Sequence, residues 1–430
     1  MKSAEEIYAL FQKHPGISTD SRDIRPGTLF FAIRGSHFDG NRFANDALNN
    51  GAAYAIVDDP DSVSDQRYIL VDDTLATLQE IAMIHRSGIR AKVIGITGSN
   101  GKTTTKELTS RVLSNGYNTL ATKGNFNNHI GVPLTVLSIT PQTQLAVIEM
   151  GANHPGEIAA LCQVARPDYG IITNIGKAHL EGFGSYDGVI KAKSELYDFL
   201  RTSGGTAIVN QDDPLLIKLS KGLNTIFYGS GEEARCYGRI IKETPFLGLE
   251  WSAGNISGST FTQLTGTYNF GNILAAICAG VTFDIEPQKI DEAVSSYLPD
   301  NNRSQWLITK FNTLILDAYN ANPSSMSAAL MNFSTLEGKS KVAILGDMME
   351  LGIQSAEEHA AIVSLARRLK IDEIILVGEQ FTAVSPCDGE RCFPDTEQAA
   401  KWIEMNPLRG KTILIKGSRK MHLEKLANLL

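Results

Sequence analysis

The sequence has no apolar run near the roughly 18 residues that a membrane span requires, which predicts a chain without a membrane-spanning helix. Its opening stretch, Met1 to His14, carries Lys2, Glu5, Glu6 and Lys13 where a secretory leader would have an apolar core, and this predicts a cytoplasmic protein. Cysteine is scarce. Cys162, Cys236, Cys278, Cys387 and Cys392 are odd in number and show no CxxC spacing, so the expectation is reduced thiols that fill the core, not a disulfide frame or a zinc site. Positive charge is not in excess: 40 Lys and Arg stand against 47 Asp and Glu, a net charge of -7. That balance argues against broad binding to nucleic acid or anionic membrane, and against a nucleic-acid motor, so any anionic ligand must be held locally. Fixed-period repeats and low-complexity segments are also missing.

What is present is an ordinary folded composition, 43% hydrophobic and 20% charged, in a chain of 430 residues. At roughly 100 to 200 residues per domain the length predicts two to four domains. Apolar strings at 29 to 34 (LFFAIR) and 53 to 57 (AYAIV), with helices near 42 to 50 and 74 to 87, read as a small α/β unit ending near residue 88. A second unit begins with the strand Lys92 to Ile96. Strands at 145 to 149, 169 to 174 and 206 to 210 follow, spaced for crossover helices, and predict a mostly parallel sheet covered on both faces. From about 225 to 265 short alternating strings read as an antiparallel patch before a helix at about 270 to 283. Strands at 313 to 317, 341 to 345, 373 to 377 and 411 to 415 then predict a third, doubly wound α/β domain from about residue 300. The predicted divisions are 1–88, 89–299 and 300–430.

The sharpest chemical signal is GITGSNGKTTT at 95 to 105, between a strand and a helix. Gly98, Ser99, Asn100 and Gly101 can turn backbone N–H groups toward phosphate oxygens, the helix N-terminus adds partial positive charge, and Lys102 reaches the β and γ phosphates. Thr103 supplies a hydroxyl for Mg²⁺, and Thr104 continues the cradle. The string departs from GxxxxGK[ST], because Ile96 stands at the first glycine position. ATP binding is the reading. The alternative is a tight turn that only caps a helix.

Three other sets stand near strand ends. Glu149 closes LAVIE and His179 follows YGIITN; beside a phosphate loop on one sheet edge they read as metal ligands, and away from it as buried hydrogen-bonding groups. Asn127, Asn128 and His129 in KGNFNNHIGVP either hold a polar substrate or form an ordinary turn. In DAYNANPSSM, Asp317 leaves a strand, Asn320 follows, and Asn322 before Pro323 reads first as a helix cap. Taken alone, these residues describe an ATP-dependent enzyme of open reaction class.

In order along nearly the whole chain, STDSRDIRPGTLFFAIRGSHFDGNRF, GITGSNGKTTTKE, GNFNNHIGVP, VIEMGANHPGEI, NIGKAHLEGFGS, LDAYNANPSSM, LGDMMELG and IKGSRKM resemble the Mur ligases of peptidoglycan synthesis. GANHPGEI and AYNANP resemble the branch that adds D-alanyl-D-alanine to UDP-N-acetylmuramoyl-tripeptide. The DNPR-like string of the branch adding the third peptide residue does not occur. The resemblance implies an N-terminal domain for the UDP end of the precursor, a central P-loop ATPase domain and a C-terminal Rossmann-like domain that closes and brings the dipeptide. It implies an acyl phosphate, a tetrahedral intermediate and an amide product, in a cytoplasmic monomer.

Residue by residue, the resemblance implies one Mg²⁺ on Thr103 and Glu149, and a second near His179 with a carbamylated lysine, which maps to Lys193, or secondarily Lys191, in IKAKSELYD. Lys102, Glu149, His179 and Lys193 are thereby the catalytic set. Asn269 and Asn272 in TGTYNFGNILAA match the adenine-side asparagines, although Tyr268 stands where the family usually has His. Arg303 matches an arginine that reaches the ATP phosphates on closure, and Asp317 an acidic residue near the ribose. Asn320 and Asn322 fall on the dipeptide side. Ser18, Thr19, Asp20, Ser21 and Arg22 resemble the uridine-diphosphate segment, and Asn127, Asn128 and His129 the loop meeting sugar and peptide. The competing readings are a sister ligase (third-residue-adding or folylpolyglutamate-type) and a non-catalytic ATP-binding switch; the switch would have no use for a second metal shell.

Overall fold

The computed structural model of the chain describes residues 2–35, 38–338, 340–385 and 389–430. Three α/β domains follow one another, each built on its own sheet. In the first, strands Ile17–Ser18, Leu29–Phe31, Tyr54–Val57 and Tyr68–Leu70 lie parallel in that order. The second sheet has nine strands, and the third has six in the order Gln305–Ile308, Thr313–Asp317, Thr412–Lys416, Lys341–Gly346, Glu373–Val377, Arg391–Phe393.

Strands buried on both faces explain why the sequence shows continuous apolar runs instead of alternation. In the central sheet Ile94, Ile96, Val147 and Ile171 face one core, and Val93, Ala146, Ile148 and Ile172 face the other. The third sheet repeats this, with Leu314, Val342 and Ile344 on one side and Ile315, Ala343 and Leu345 on the other. Each Val, Ile or Leu among them contributes roughly 1.5–3 kcal/mol by leaving water. One core runs without a break from Ile7 and Phe31 of the first domain through Val93 and Ile148 to Met326 and Leu345 of the third. At the seam between the second and third sheets, Phe246 meets Trp306 edge to face, with ring centroids 5.5 Å apart.

The central sheet carries its switch point where the site lies. Lys92–Thr97 sits between Tyr169–Ile172 on one side and Leu145–Glu149 on the other, all parallel, so three strand ends open onto one crevice. The antiparallel patch expected over 225 to 265 is smaller than the sequence suggests. Asn224–Gly229 is parallel to Thr206–Asn210, because the helix Pro214–Leu219 between them returns the chain to the same sheet end. Only Cys236–Lys242, Gly248–Ala253 and Ile256–Phe261 pair antiparallel, and they extend the same sheet.

The thiol expectation divides. Cys162, Cys236 and Cys278 are free and buried. Cys392 is disulfide-bonded, which corrects the expectation of a reduced thiol there; Cys387 lies outside the described residues. Lack of CxxC spacing does not exclude a disulfide, because loop closure needs only two Cα atoms within about 7 Å. Among the described residues no helix is long and apolar enough to cross a membrane.

Candidate active site

The phosphate loop follows the strand Lys92–Thr97 and opens the helix Lys102–Leu113. Two glycines make its path possible. Gly98 has φ +141°, and a Cβ there would stand 2.1 Å from Thr173 Oγ1; Gly101 has φ +80° and faces Asn272 Oδ1 at 2.3 Å. The loop is held by the neighbouring strand end: Ser99 N donates to Asn174 O (3.0 Å), Asn100 N to Asn174 Oδ1 (3.0 Å), and Thr173 Oγ1 to Asn100 O (2.5 Å). Lys102 Nζ bends back to Gly98 O (2.7 Å) and Ser99 O (3.2 Å). Burial pushes its amine down to about 8, Glu149 opposing that shift and Arg303 adding to it.

Glu149 is buried at the end of its strand. Its Oε1 accepts from Thr103 Oγ1 (3.2 Å) and from Asn127 Nδ2 (2.7 Å), whereas Oε2 is buried without any partner among the described residues. A buried carboxylate oxygen with no donor is costly unless a cation meets it. Thr103 and Glu149 therefore fit a hard, oxygen-seeking divalent cation beside the phosphate loop.

His179 lies on the next wall, whereas Lys193 is buried behind it and does not line the cavity. His179 has φ +50°, lines the cavity, and its Nδ1 meets Glu350 of the third domain. Lys193 is buried on the helix Tyr186–Ser203, its Nζ 3.2 Å from Ala152 O and 5.3 Å from the Phe183 ring centre. Burial brings its amine down to about 7, with the Lys102 charge pushing the same way.

The loop from Ser99 to Thr104, Glu149 and His179 line a cavity of about 730 Å³ to which all three domains contribute. The first contributes Gln79, whose Nε2 donates to His129 O (3.0 Å). Asn127, Asn128 and His129 line the same space, and Asn128 Oδ1 caps Ile130 N and Gly131 N. Asn269 and Asn272 sit below the loop in a buried chain: Thr105 Oγ1 to Asn272 Oδ1 (3.1 Å), Asn272 Nδ2 to Asn269 Oδ1 (2.9 Å), Asn269 Nδ2 to Thr265 O (2.8 Å). Tyr268 keeps a polar tip, sharing a hydrogen bond with Ser304 Oγ at 2.9 Å.

The third domain closes the space. Arg303 stacks on Tyr319 at 3.7 Å and leaves Nε buried without a partner among the described residues. Asp317 accepts from Lys416 Nζ (2.6 Å), which also reaches Asn320 O (3.3 Å). Asn322 caps the helix Pro323–Thr335 and donates from Nδ2 to Asn100 Oδ1 (2.8 Å), so the residue expected to cap also spans two domains. Ser18, Thr19, Asp20, Ser21 and Arg22 do not line this cavity. There Arg22 forks onto Asp20, which is held near 2 by that partner, at a turn fixed by Ser18. Sequence reasoning missed Lys416, Glu350 and Lys177. Two of them lie in LGDMMELG and IKGSRKM, strings that carried the resemblance without a role.

Three family models cover the chain in series: Mur ligase family, catalytic domain, over residues 14–99; Mur ligase middle domain over 96–280; and Mur ligase, glutamate ligase domain, over 302–419. The chain belongs to the Mur ligase family. Among its relatives, this Mur ligase is 35% identical to the UDP-N-acetylmuramoyl-tripeptide--D-alanyl-D-alanine ligase of Bacillus subtilis, over 96% of this chain and 92% of that protein. It is also 35% identical to the enzyme of that name from Escherichia coli, over 96% and 93%. Among solved structures, MurF from Acinetobacter baumannii superposes with a TM-score of 0.88 at 32% identity, covering 97% of this chain and 93% of that one. MurF ligase from Thermotoga maritima in complex with ADP superposes at 0.86, with 27% identity over 100% and 98%. With the phosphate loop, these likenesses make this Mur ligase an ATP-binding enzyme.

Proposed function

We propose that this Mur ligase joins D-alanyl-D-alanine to the terminal carboxylate of UDP-N-acetylmuramoyl-tripeptide at the expense of ATP, in cytoplasmic peptidoglycan precursor synthesis. The supporting observation is the single cavity in which a phosphate loop, a buried carboxylate with a free oxygen and third-domain residues converge. The named relatives supply the substrates. The domains run 1–88 for the UDP end, 89–299 for ATP and 300–430 for the dipeptide, in a monomer.

Each residue has a physical task. The reaction brings a carboxylate against a triphosphate, both anions, so positive charge must gather there. Lys102, released from its own loop carbonyls, turns to the phosphates, and Gly98, Ser99, Asn100, Gly101 and Thr104 line their cradle. Arg303, parked on Tyr319, adds a second cation from the third domain. Thr103 and Glu149 would hold one Mg²⁺, and His179 with carbamylated Lys193 a second. When bound, these ions neutralise the charge between phosphate and carboxylate. An amine near 7 is partly neutral at physiological pH, which is the form that takes up CO₂, and the carbamate presents an anionic oxygen where an ammonium would repel a cation.

Transfer of the γ-phosphoryl group gives the tripeptide an acyl phosphate and releases ADP. The dipeptide amine attacks it, the tetrahedral intermediate collapses, and phosphate leaves as the amide forms. Asn269 and Asn272 stand on the adenine side, Asp317 at the ribose, Asn320 and Asn322 toward the dipeptide, and Asn127, Asn128 and His129 toward sugar and peptide. Ser18 to Arg22 take the uridine diphosphate. The test is phosphate release with ATP, Mg²⁺ and the tripeptide precursor, with and without D-alanyl-D-alanine. Dipeptide-dependent release with a pentapeptide product is expected. Turnover only with single amino acids would assign the chain to a sister ligase.

A further inference from the structure

Two residues that face each other across the domain seam share an unusual backbone. His179 has φ +50° and Glu350 φ +63°, both in the left-handed region that non-glycine residues enter only when their surroundings compel it. Their side chains meet, His179 Nδ1 on Glu350 Oε2, and the backbone repeats the contact, with Glu181 N donating to Glu350 O at 3.1 Å.

The loop carrying Glu350 is tethered on its N-terminal side. Met348 N donates to the buried His359 Nε2 (3.0 Å), Met349 N to Ser418 Oγ (3.0 Å), and Asp347 accepts from Gln380 N and Phe381 N (both 2.9 Å). Such a mount delivers one carboxylate to one imidazole nitrogen. On the other ring nitrogen, Nε2, no described residue makes a hydrogen bond. His179 and Lys193 also share the Phe183 ring, which brings the buried lysine behind the histidine that lines the cavity.

We infer that Glu350 is the positioning residue for His179: by holding Nδ1 it fixes the tautomer that leaves the Nε2 lone pair for a divalent cation, so the second metal position is completed from the third domain. A partner on the far nitrogen is how ligating histidines are commonly oriented. Here that partner comes from another domain, which ties metal binding to closure. A simple latch is already present two residues away, where Lys177 Nζ meets Glu358 Oε1 at 2.6 Å. Closure by charge alone would therefore not require Glu350.

The inference rests on the ligase reading but is tested apart from turnover. Mn²⁺ binding to the full chain with ADP present is measured by electron paramagnetic resonance for wild type, Glu350→Ala, Glu350→Asp and Glu358→Gln, with solution scattering on the same samples. The expected result is a loss of about 10- to 100-fold in affinity at one of two Mn²⁺ positions in Glu350→Ala. Partial recovery is expected in Glu350→Asp and an unaltered metal titration in Glu358→Gln. Where turnover is measured, Glu350→Ala lowers kcat and leaves the KM for ATP in place. Wild-type Mn²⁺ binding in Glu350→Ala overturns the inference. So does equal weakening in Glu358→Gln with equal opening by scattering, which makes Glu350 a latch. A wild type without dipeptide-dependent phosphate release refutes the ligase reading instead, and leaves the Mn²⁺ result to stand or fall by itself.

Discussion

At the scale of the residue, buried charge is the telling quantity. Glu149→Gln keeps an oxygen to accept from Thr103 and Asn127 and removes only the charge. It is expected to fold as well as wild type by thermal melting, while phosphate release falls by about 10²- to 10³-fold, the scale of losing one preorganised electrostatic group. Lys193 makes a prediction in pH. Its amine titrates near 7 in the folded chain against an ordinary 10.5, so between those values the unfolded chain holds a proton that the folded chain lacks. Stability in bicarbonate-free buffer should then rise from pH 7 toward pH 10, the cost of the buried ammonium being complete only below 7. Lys193→Met should flatten that slope without abolishing it, since Lys102, near 8, contributes the same sign. Chemical denaturation at a series of pH values checks this; an unchanged slope would mean that Lys193 does not titrate in that range. The glycine-lysine-threonine string and the strand-end Glu149 were legible in the sequence because a phosphate loop is a local object. Lys416 and Glu350 were not, since Lys416 reaches Asp317 and Asn320 from nearly a hundred residues away in sequence and Glu350 meets His179 only across a domain boundary.

At the scale of the element, the phosphate loop is fastened from two directions, by the strand end at Thr173 and Asn174 and by the helix Phe270–Thr282 through Asn272. Gly98→Ala would drive a methyl into Thr173 Oγ1 and demand a left-handed alanine, so nucleotide binding measured by calorimetry should be lost. Asn272→Ala strands Thr105 Oγ1 and Asn269 Oδ1 in the interior, which should cost about 1–3 kcal/mol in denaturant unfolding and weaken ATP binding as the loop loses its floor. The long apolar strands could be read because burial on both faces leaves no polar position to confuse them. Ile17–Ser18, Thr119–Ala121 and Arg391–Phe393 could not, for they are two or three residues long at sheet edges, where pairing with a neighbour and not composition makes them strands. The parallel pairing of Asn224–Gly229 was hidden for a related reason: direction is decided by the helix before it, not by the strand's own residues.

At the scale of the molecule, the three domains meet through polar contacts of modest strength laid over one shared apolar core. Gln79 to His129, Asn322 to Asn100, Lys177 N to Ser324 Oγ (3.1 Å) and Lys177 to Glu358 are each breakable. Asn322→Ala removes a cap and a domain contact together, so it should raise the KM for D-alanyl-D-alanine several-fold and lower the melting temperature, a cap alone being worth about 1 kcal/mol. The edge-to-face pair of Phe246 and Trp306 straddles the same seam, while Trp251 is buried within the central domain and Trp402 stacks near Phe393 inside the third. Of the three indoles, one therefore sits where the two bodies part. Opening exchanges its aromatic neighbour for solvent, so the emission colour of Trp306, isolated by replacing Trp251 and Trp402 with Phe, would shift to the red as the halves separate and return as nucleotide draws them together. On the closure that the resemblance implies, that indole is an optical gauge readable in a stopped-flow cell without a label.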